Sequence, residues 1–128
     1  ALLTQNFTTA TDAFNTAVGT DAGLLVTTGK QNTIVGGLAA DAVTTGTNNV
    51  AVGYLALTTE TAGDNSVAIG RSALGTQNVT TGGNVYNVAV GHSAGGAITT
   101  GESNTLIGGL AGDALTSSSN NVAVGTML

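Results

Sequence analysis

The sequence predicts an all-β protein, a parallel β-solenoid of about seven 17-residue rungs, and three observations predict it. First, a short apolar run closed by glycine recurs at Gly19, Gly36, Gly53, Gly70, Gly91, Gly108 and Gly125, with successive spacings of 17, 17, 17, 21, 17 and 17 residues. A fixed period of this size marks a stacked repeat, in which each unit buries its apolar face against its neighbours. Second, the residue before each glycine is always β-branched: Val18, Val35, Val52, Ile69, Val90, Ile107 and Val124. Third, the 128 residues include 20 glycines and no proline, with 41% hydrophobic content drawn mostly from Ala, Val, Leu and Ile. That content is too high for a disordered chain, and the absence of proline removes collagen and a polyproline stalk.

The period has a second level. Gly36-Gly37-Leu38-Ala39-Ala40-Asp41-Ala42 returns 72 residues later as Gly108-Gly109-Leu110-Ala111-Gly112-Asp113-Ala114, and Asn48-Asn49-Val50-Ala51-Val52-Gly53 as Asn120-Asn121-Val122-Ala123-Val124-Gly125. One solenoid domain over residues 1–128 is therefore expected, with a four-rung super-repeat over 1–72 and a partial second copy over 73–128. It reads as a processed or excised stretch of a longer array.

Each rung opens with a strand. Two positions before the β-branched residue stands Val or Thr, on the same strand face, and between them lies Ala17, Ile34, Ala51, Ala68, Ala89, Leu106 or Ala123. Both faces are dry, as in parallel strands covered on both sides. One face fills the interior, and the other calls for a cover, most simply another copy of the chain. The β-branched residues and the glycines after them form the expected structural repeat core. Three residues past the glycine, Ala22, Ala39, Ala56, Ala73, Ala94 and Ala111 form a small-residue column where the path bends inward. Leu128 breaks that column. A later apolar column holds Val26, Val43, Ile98 and Leu115, with Glu60 and Gln77 as exceptions that place it nearer the surface. Turns of the type Thr27-Thr28-Gly29 follow, built from residues that tolerate left-handed dihedrals or bond their own backbone. Asn15, Asn32, Asn49, Asn87, Asn104 and Asn121 then enter the next strand, where stacked amides can form an internal ladder.

Charge and composition limit the function classes. Charged residues are 7% of the chain, against roughly 25% in ordinary domains. A net charge of -5, with Lys30 and Arg71 the only cations of Lys or Arg type, argues against a nucleic-acid partner, which needs a basic footprint. No apolar run approaches the ~18 residues of a membrane span, so no membrane insertion is expected. No cysteine is present, which excludes disulfides and thiolate metal sites.

Asn65-Ser66-Val67-Ala68-Ile69-Gly70-Arg71-Ser72 resembles the head repeat of trimeric autotransporter adhesins. Asn49-Val50-Ala51-Val52-Gly53-Tyr54-Leu55-Ala56-Leu57 is similar to repeats in the shafts of phage tail fibres and related surface fibres. The resemblance runs through all seven copies. It implies a left-handed β-roll, three chains around one axis, exposure on a cell surface or virion, and a role in attachment.

Catalytic motifs do not assemble. Gly91-His92-Ser93-Ala94-Gly95 matches the nucleophile-elbow pattern, but His92 is the only histidine, so no triad partner exists. The seven carboxylates are scattered and lack the glycine-aspartate calcium repeat. No enzyme activity, cofactor or metal is expected. Exposed turns carrying Tyr54, Arg71, Tyr86 and His92, with Lys30 and Glu60, supply the candidate ligand-facing chemistry; Glu60→Ala is expected to leave assembly intact.

The expected function is that of a non-enzymatic extracellular structural and adhesive fibre segment. Its partners are further copies of itself, as a homotrimer or stacked end to end, and a cell-surface glycan or protein receptor. The alternatives are a self-assembling end-to-end filament subunit and an ice-binding solenoid, the latter because Thr27, Thr44, Thr61, Thr99 and Thr116 form a column.

Overall fold

The computed structural model describes residues 1–127. The Leu128 break in the alanine column lies outside the described residues. Among the described residues nine short strands occur in chain order: β1 Thr16–Val18, β2 Thr33–Val35, β3 Val50–Val52, β4 Gly63–Asp64, β5 Val67–Ile69, β6 Gly83–Asn84, β7 Val88–Val90, β8 Thr105–Ile107 and β9 Val122–Val124. Seven of them form one parallel sheet in the order β1-β2-β3-β5-β7-β8-β9, so the chain winds through about six turns of a β-solenoid. The register never slips: Val18 pairs with Val35, Val35 with Val52, Val52 with Ile69, Ile69 with Val90, Val90 with Ile107 and Ile107 with Val124. The 21-residue rung keeps this register by looping its extra residues out, and β4 pairs with β6 beside that loop.

A three-residue strand turns one side chain inward and two outward. The inward one is the middle residue: Ile34, Ala51, Ala68, Ala89 and Leu106 are fully buried, and Ala17 and Ala123 pack on the same core. The β-branched residues expected in the repeat core lie on the outer face instead, where Val18 is 59% and Ile107 42% exposed. Within a single chain, the core belongs to the residue between them. Val52, Val90 and their equivalents form an outer rank, half-buried at its middle strands and most exposed toward its two ends.

The core is filled by reciprocal sizes. Ala68 and Ala89 share one fully buried cluster with the large Leu57 and Leu74. Where the strand centre is large, the facing position is glycine: a Cβ on Gly23 would stand 2.9 Å from Ile34, and one on Gly95 2.8 Å from Leu106. The alanine column closes this interior, all six members being fully buried.

The amide ladder lies inside the molecule. Asn32 N–H donates to Asn15 Oδ1 at 2.9 Å, Asn49 N–H to Asn32 Oδ1 at 3.0 Å and Ser66 N–H to Asn49 Oδ1 at 2.9 Å. The series resumes with Asn104 N–H on Asn87 Oδ1 at 2.9 Å and Asn121 N–H on Asn104 Oδ1 at 3.0 Å. Each side-chain oxygen thus satisfies a backbone donor of the next rung, which otherwise would be buried without a partner. Asn49 also donates Nδ2–H to Gly63 O at 2.9 Å and is 1% exposed. Asn49→Ala strands both the Ser66 N–H and the Gly63 carbonyl, and is expected to cost about 2 kcal/mol or more, read as a lowered urea midpoint at unchanged m.

Glu60 and Gln77 are not near the surface; both are fully buried. Their polar groups are compatible with the interior because each is saturated. Glu60 Oε1 accepts the backbone N–H groups of Thr61, Ala62, Gly63 and Val79 at 2.8–3.1 Å, and Oε2 accepts Gln77 Nε2–H at 2.8 Å. Gln77 Nε2 also reaches Ser66 Oγ at 3.1 Å, and Gln77 Oε1 accepts from Asn87 Nδ2 at 2.8 Å. Ser66, standing where other rungs carry asparagine, is thereby tied back into the ladder. No buried side-chain nitrogen or oxygen among the described residues lacks a partner.

Candidate functional site

The residue after each repeat glycine points to solvent at the edge of the strand stack. Tyr54, Arg71 and His92 occupy this position in three successive rungs, one above the next, with Gly37 and Gly109 on either side. All three are exposed. Arg71 Nη1 lies 3.1 Å from His92 Nε2, a contact in which the guanidinium donates to the imidazole. Tyr54 extends over Gly37, a Cβ on which would lie 3.5 Å from the ring.

Three of the four candidate ligand-facing residues are therefore brought together. The fourth, Tyr86, is 54% exposed at the opposite end of β7 and adopts a left-handed φ of 55°. Glu60, counted among the exposed turn residues, is interior and unavailable to a ligand. Lys30 sits with its Nζ 5.9 Å from the Phe7 ring centroid, a cation–π contact away from the cluster.

Beside the Tyr54-Arg71-His92 column runs an open groove of about 380 Å³, lined by Leu55, Thr58, Ser72, Thr76, Ser93 and Asp113 together with the small residues Gly75, Gly96 and Ala97. Sequence inspection missed it. Its signal was the loss of bulk in two adjacent rungs: Ser72 and Ser93 stand where Leu38, Leu55 and Leu110 stand elsewhere, and Gly75 and Gly96 replace Leu24, Asp41, Thr58 and Asp113.

The threonine column is spent on the solenoid itself. Thr27, Thr44 and Thr99 hydroxyls donate to the carbonyl of the threonine in the next rung at 3.1–3.3 Å, and Thr61 donates to Asn78 Oδ1 at 2.9 Å. Among the described residues no group of three or more His, Asp or Glu side chains is placed to share a metal ion, and no helix is long and apolar enough to cross a membrane.

The chain matches no protein-family model, no curated protein and no solved structure. What the geometry itself defines is a β-solenoid with a partly exposed, largely apolar outer sheet face and, at its edge, a cationic and aromatic column bordering a hydroxyl-lined groove.

Proposed function

We propose that the chain is a non-enzymatic structural and adhesive segment of an extracellular fibre, carried on a cell surface or a virion and assembled as a homotrimer through its seven-stranded sheet. The outer rank of that sheet carries this reading. It consists of Thr16 and Val18, Thr33 and Val35, Val50 and Val52, Val67 and Ile69, Val88 and Val90, Thr105 and Ile107, and Val122 and Val124, with Val122 77% and Val124 63% exposed. Seven strands at about 4.8 Å, each about 10 Å long, make an apolar face of about 300 Å². A stable interface needs about 800 Å² from each partner, so the rank alone does not suffice and the contact has to extend beyond it. Three ranks turned toward a common axis enclose a dry prism, and each chain then contacts two neighbours, with Phe14 and Tyr86, 71% and 54% exposed, extending the contact beyond the rank. The resemblance of the repeats to trimeric surface fibres points the same way.

Light scattering at several concentrations tests this. A mass three times the 12.3 kDa chain is expected. A persistent monomer overturns the assembly, and a large polydisperse mass transfers it to end-to-end stacking through the open edges of β1 and β9. Val52→Asp places a carboxylate at the middle of the outer rank, where the half-buried position of an isolated chain still gives it access to water. The expected product is a folded monomer with an unchanged far-UV spectrum, so assembly is lost without loss of fold. A trimer that tolerates the substitution would show that this face is not the interface.

A further inference from the structure

The groove beside Ser72 and Ser93 is a departure from the repeat, and repeat inheritance does not account for its chemistry. At the 72-residue offset Tyr54 corresponds to Thr126, His92 to Thr20, Ser93 to Asp21 and Gly96 to Leu24, although flanking segments recur almost unchanged. The substitutions that open the groove fall in the same two rungs as Arg71 and His92, and Tyr54 stands in the rung before them.

Arg71 is the only arginine of a chain with net charge -5, yet no carboxylate among the described residues pairs with it. Among the described residues its one side-chain hydrogen bond is to His92 Nε2, and the side chain is exposed, so further guanidinium donors are open to a ligand. Among the described residues the Ser72 and Ser93 hydroxyls make no hydrogen bond within the chain, whereas the neighbouring Thr76 hydroxyl is committed to Gly96 O and Ile98 O at 2.7 and 2.8 Å. Leu55 supplies an apolar wall and Asp113 an acceptor at the other end of the groove. Free hydroxyls, an apolar wall, an acceptor carboxylate and an unpaired planar cation are together the donor and acceptor set of a sugar bearing one carboxylate.

We propose that this groove is a subsite for an acidic saccharide, binding the carboxylate at Arg71, with His92 beside it, and the ring hydroxyls at Ser72, Ser93 and Asp113. The proposal deepens the attachment reading and rests on it for its biological sense. Asp113 sets the polarity, since it repels the sugar carboxylate toward the Arg71 end while accepting from a hydroxyl.

The test uses the assembled protein and paired probes that differ only at the carboxylate: sialyllactose against its methyl ester, and tetragalacturonate against its methyl ester, with lactose 3′-sulfate as a sulfated anion that carries no carboxylate. Backbone amide shifts at residues 71–76 and 92–97 locate binding, and calorimetry gives the affinity. At least one carboxylated sugar is expected to bind there about tenfold or more tightly than its neutral partner. Arg71→Gln is expected to erase that difference, because the charge is removed from an exposed position that the fold does not need. Ser93→Leu refills the groove with the residue other rungs carry, and is expected to abolish binding while the far-UV spectrum stays unchanged. Equal affinity for charged and neutral sugars, binding of the sulfated sugar alone, shifts outside these segments, or no binding to any probe would overturn the proposal. Light scattering of the same samples separates the two levels. A trimer that binds no sugar ends the subsite and leaves the fibre, whereas a monomer that binds keeps the subsite and ends the fibre.

Discussion

Gly53→Ala is expected to unfold the solenoid or to lower its stability by about 3 kcal/mol or more, whereas Gly109→Ala, one position after a repeat glycine, is expected to change it by less than about 0.5 kcal/mol. The two glycines differ in what a methyl group would meet. Gly53 has φ +131°, a region that side chains strongly avoid, and its added Cβ would stand 2.7 Å from both the carbonyl carbon and oxygen of Gly70. Those atoms are backbone of the next rung and cannot rotate away. Gly36 makes the same approach to Gly53, so the repeat glycines form a column in which each backbone rests on the next. One methyl group forces two rungs apart and breaks the ladder on either side, Gly53 N–H to Val35 O at 2.8 Å and Gly70 N–H to Val52 O at 2.7 Å. Gly109 has nothing within 4 Å of an added Cβ. Urea midpoints of the two variants, read by far-UV circular dichroism, check this; equal midpoints would remove the glycine column as the reason for the repeat.

That column explains why the architecture was legible in the sequence. A residue that only glycine can be, recurring at fixed spacing beside a β-branched residue, fixes register and stacking direction together. The alanine column and the asparagine ladder were legible for the same reason, because close packing and buried amides each allow few residue types. The inward face was not legible. Val50-Ala51-Val52 is apolar throughout, and pattern alone cannot say whether alanine or the valines face the core. Burial settles it: Ala51, Ala68 and Ala89 are fully buried in one cluster with Leu57 and Leu74, while the valines beside them are not. Nor did the sequence show that leucines take left-handed backbone: Leu38, Leu55 and Leu110 have φ of 54°, 59° and 60° in a bend whose geometry the rung stack imposes. Of the candidate site, the column Tyr54-Arg71-His92 follows from register, since each residue succeeds a repeat glycine. The groove does not, because it is made by side chains that are missing.

Glu60 was the residue most firmly misplaced by its type, and replacing it is expected to have the opposite effect from that of an exposed turn residue. A polar residue in an apolar column ordinarily marks the surface. Here the side-chain amides form a directed series: Asn121 Nδ2–H donates to Asn104 Oδ1 at 2.8 Å, Asn104 Nδ2–H to Asn87 Oδ1 at 3.1 Å, Asn87 Nδ2–H to Gln77 Oε1 and Gln77 Nε2–H to Glu60 Oε2, both at 2.8 Å. The backbone donors on Asn87 Oδ1 and Asn104 Oδ1 fix which way each amide points, so the series cannot be reversed one member at a time. It must end on a group that accepts at both ends, since Glu60 Oε1 already takes four backbone N–H groups. A glutamine at this position has one acceptor. Whichever way its amide is turned, its NH₂ faces either Gln77 Nε2 or the backbone cluster, and a donor meets donors. Glu60→Gln, nearly isosteric, is therefore expected to cost about 1–3 kcal/mol, and Glu60→Ala about 3 kcal/mol or more, because it strands the N–H groups of buried Gly63 and of Val79 at the start of the inserted loop. Amide hydrogen exchange checks the mechanism as well as the magnitude: protection is expected to fall first at Gly63 and Val79, whose N–H groups donate to Glu60 Oε1, in both variants. Wild-type protection at these amides in Glu60→Gln would show that a single acceptor suffices and that the carboxyl group is not what terminates the ladder.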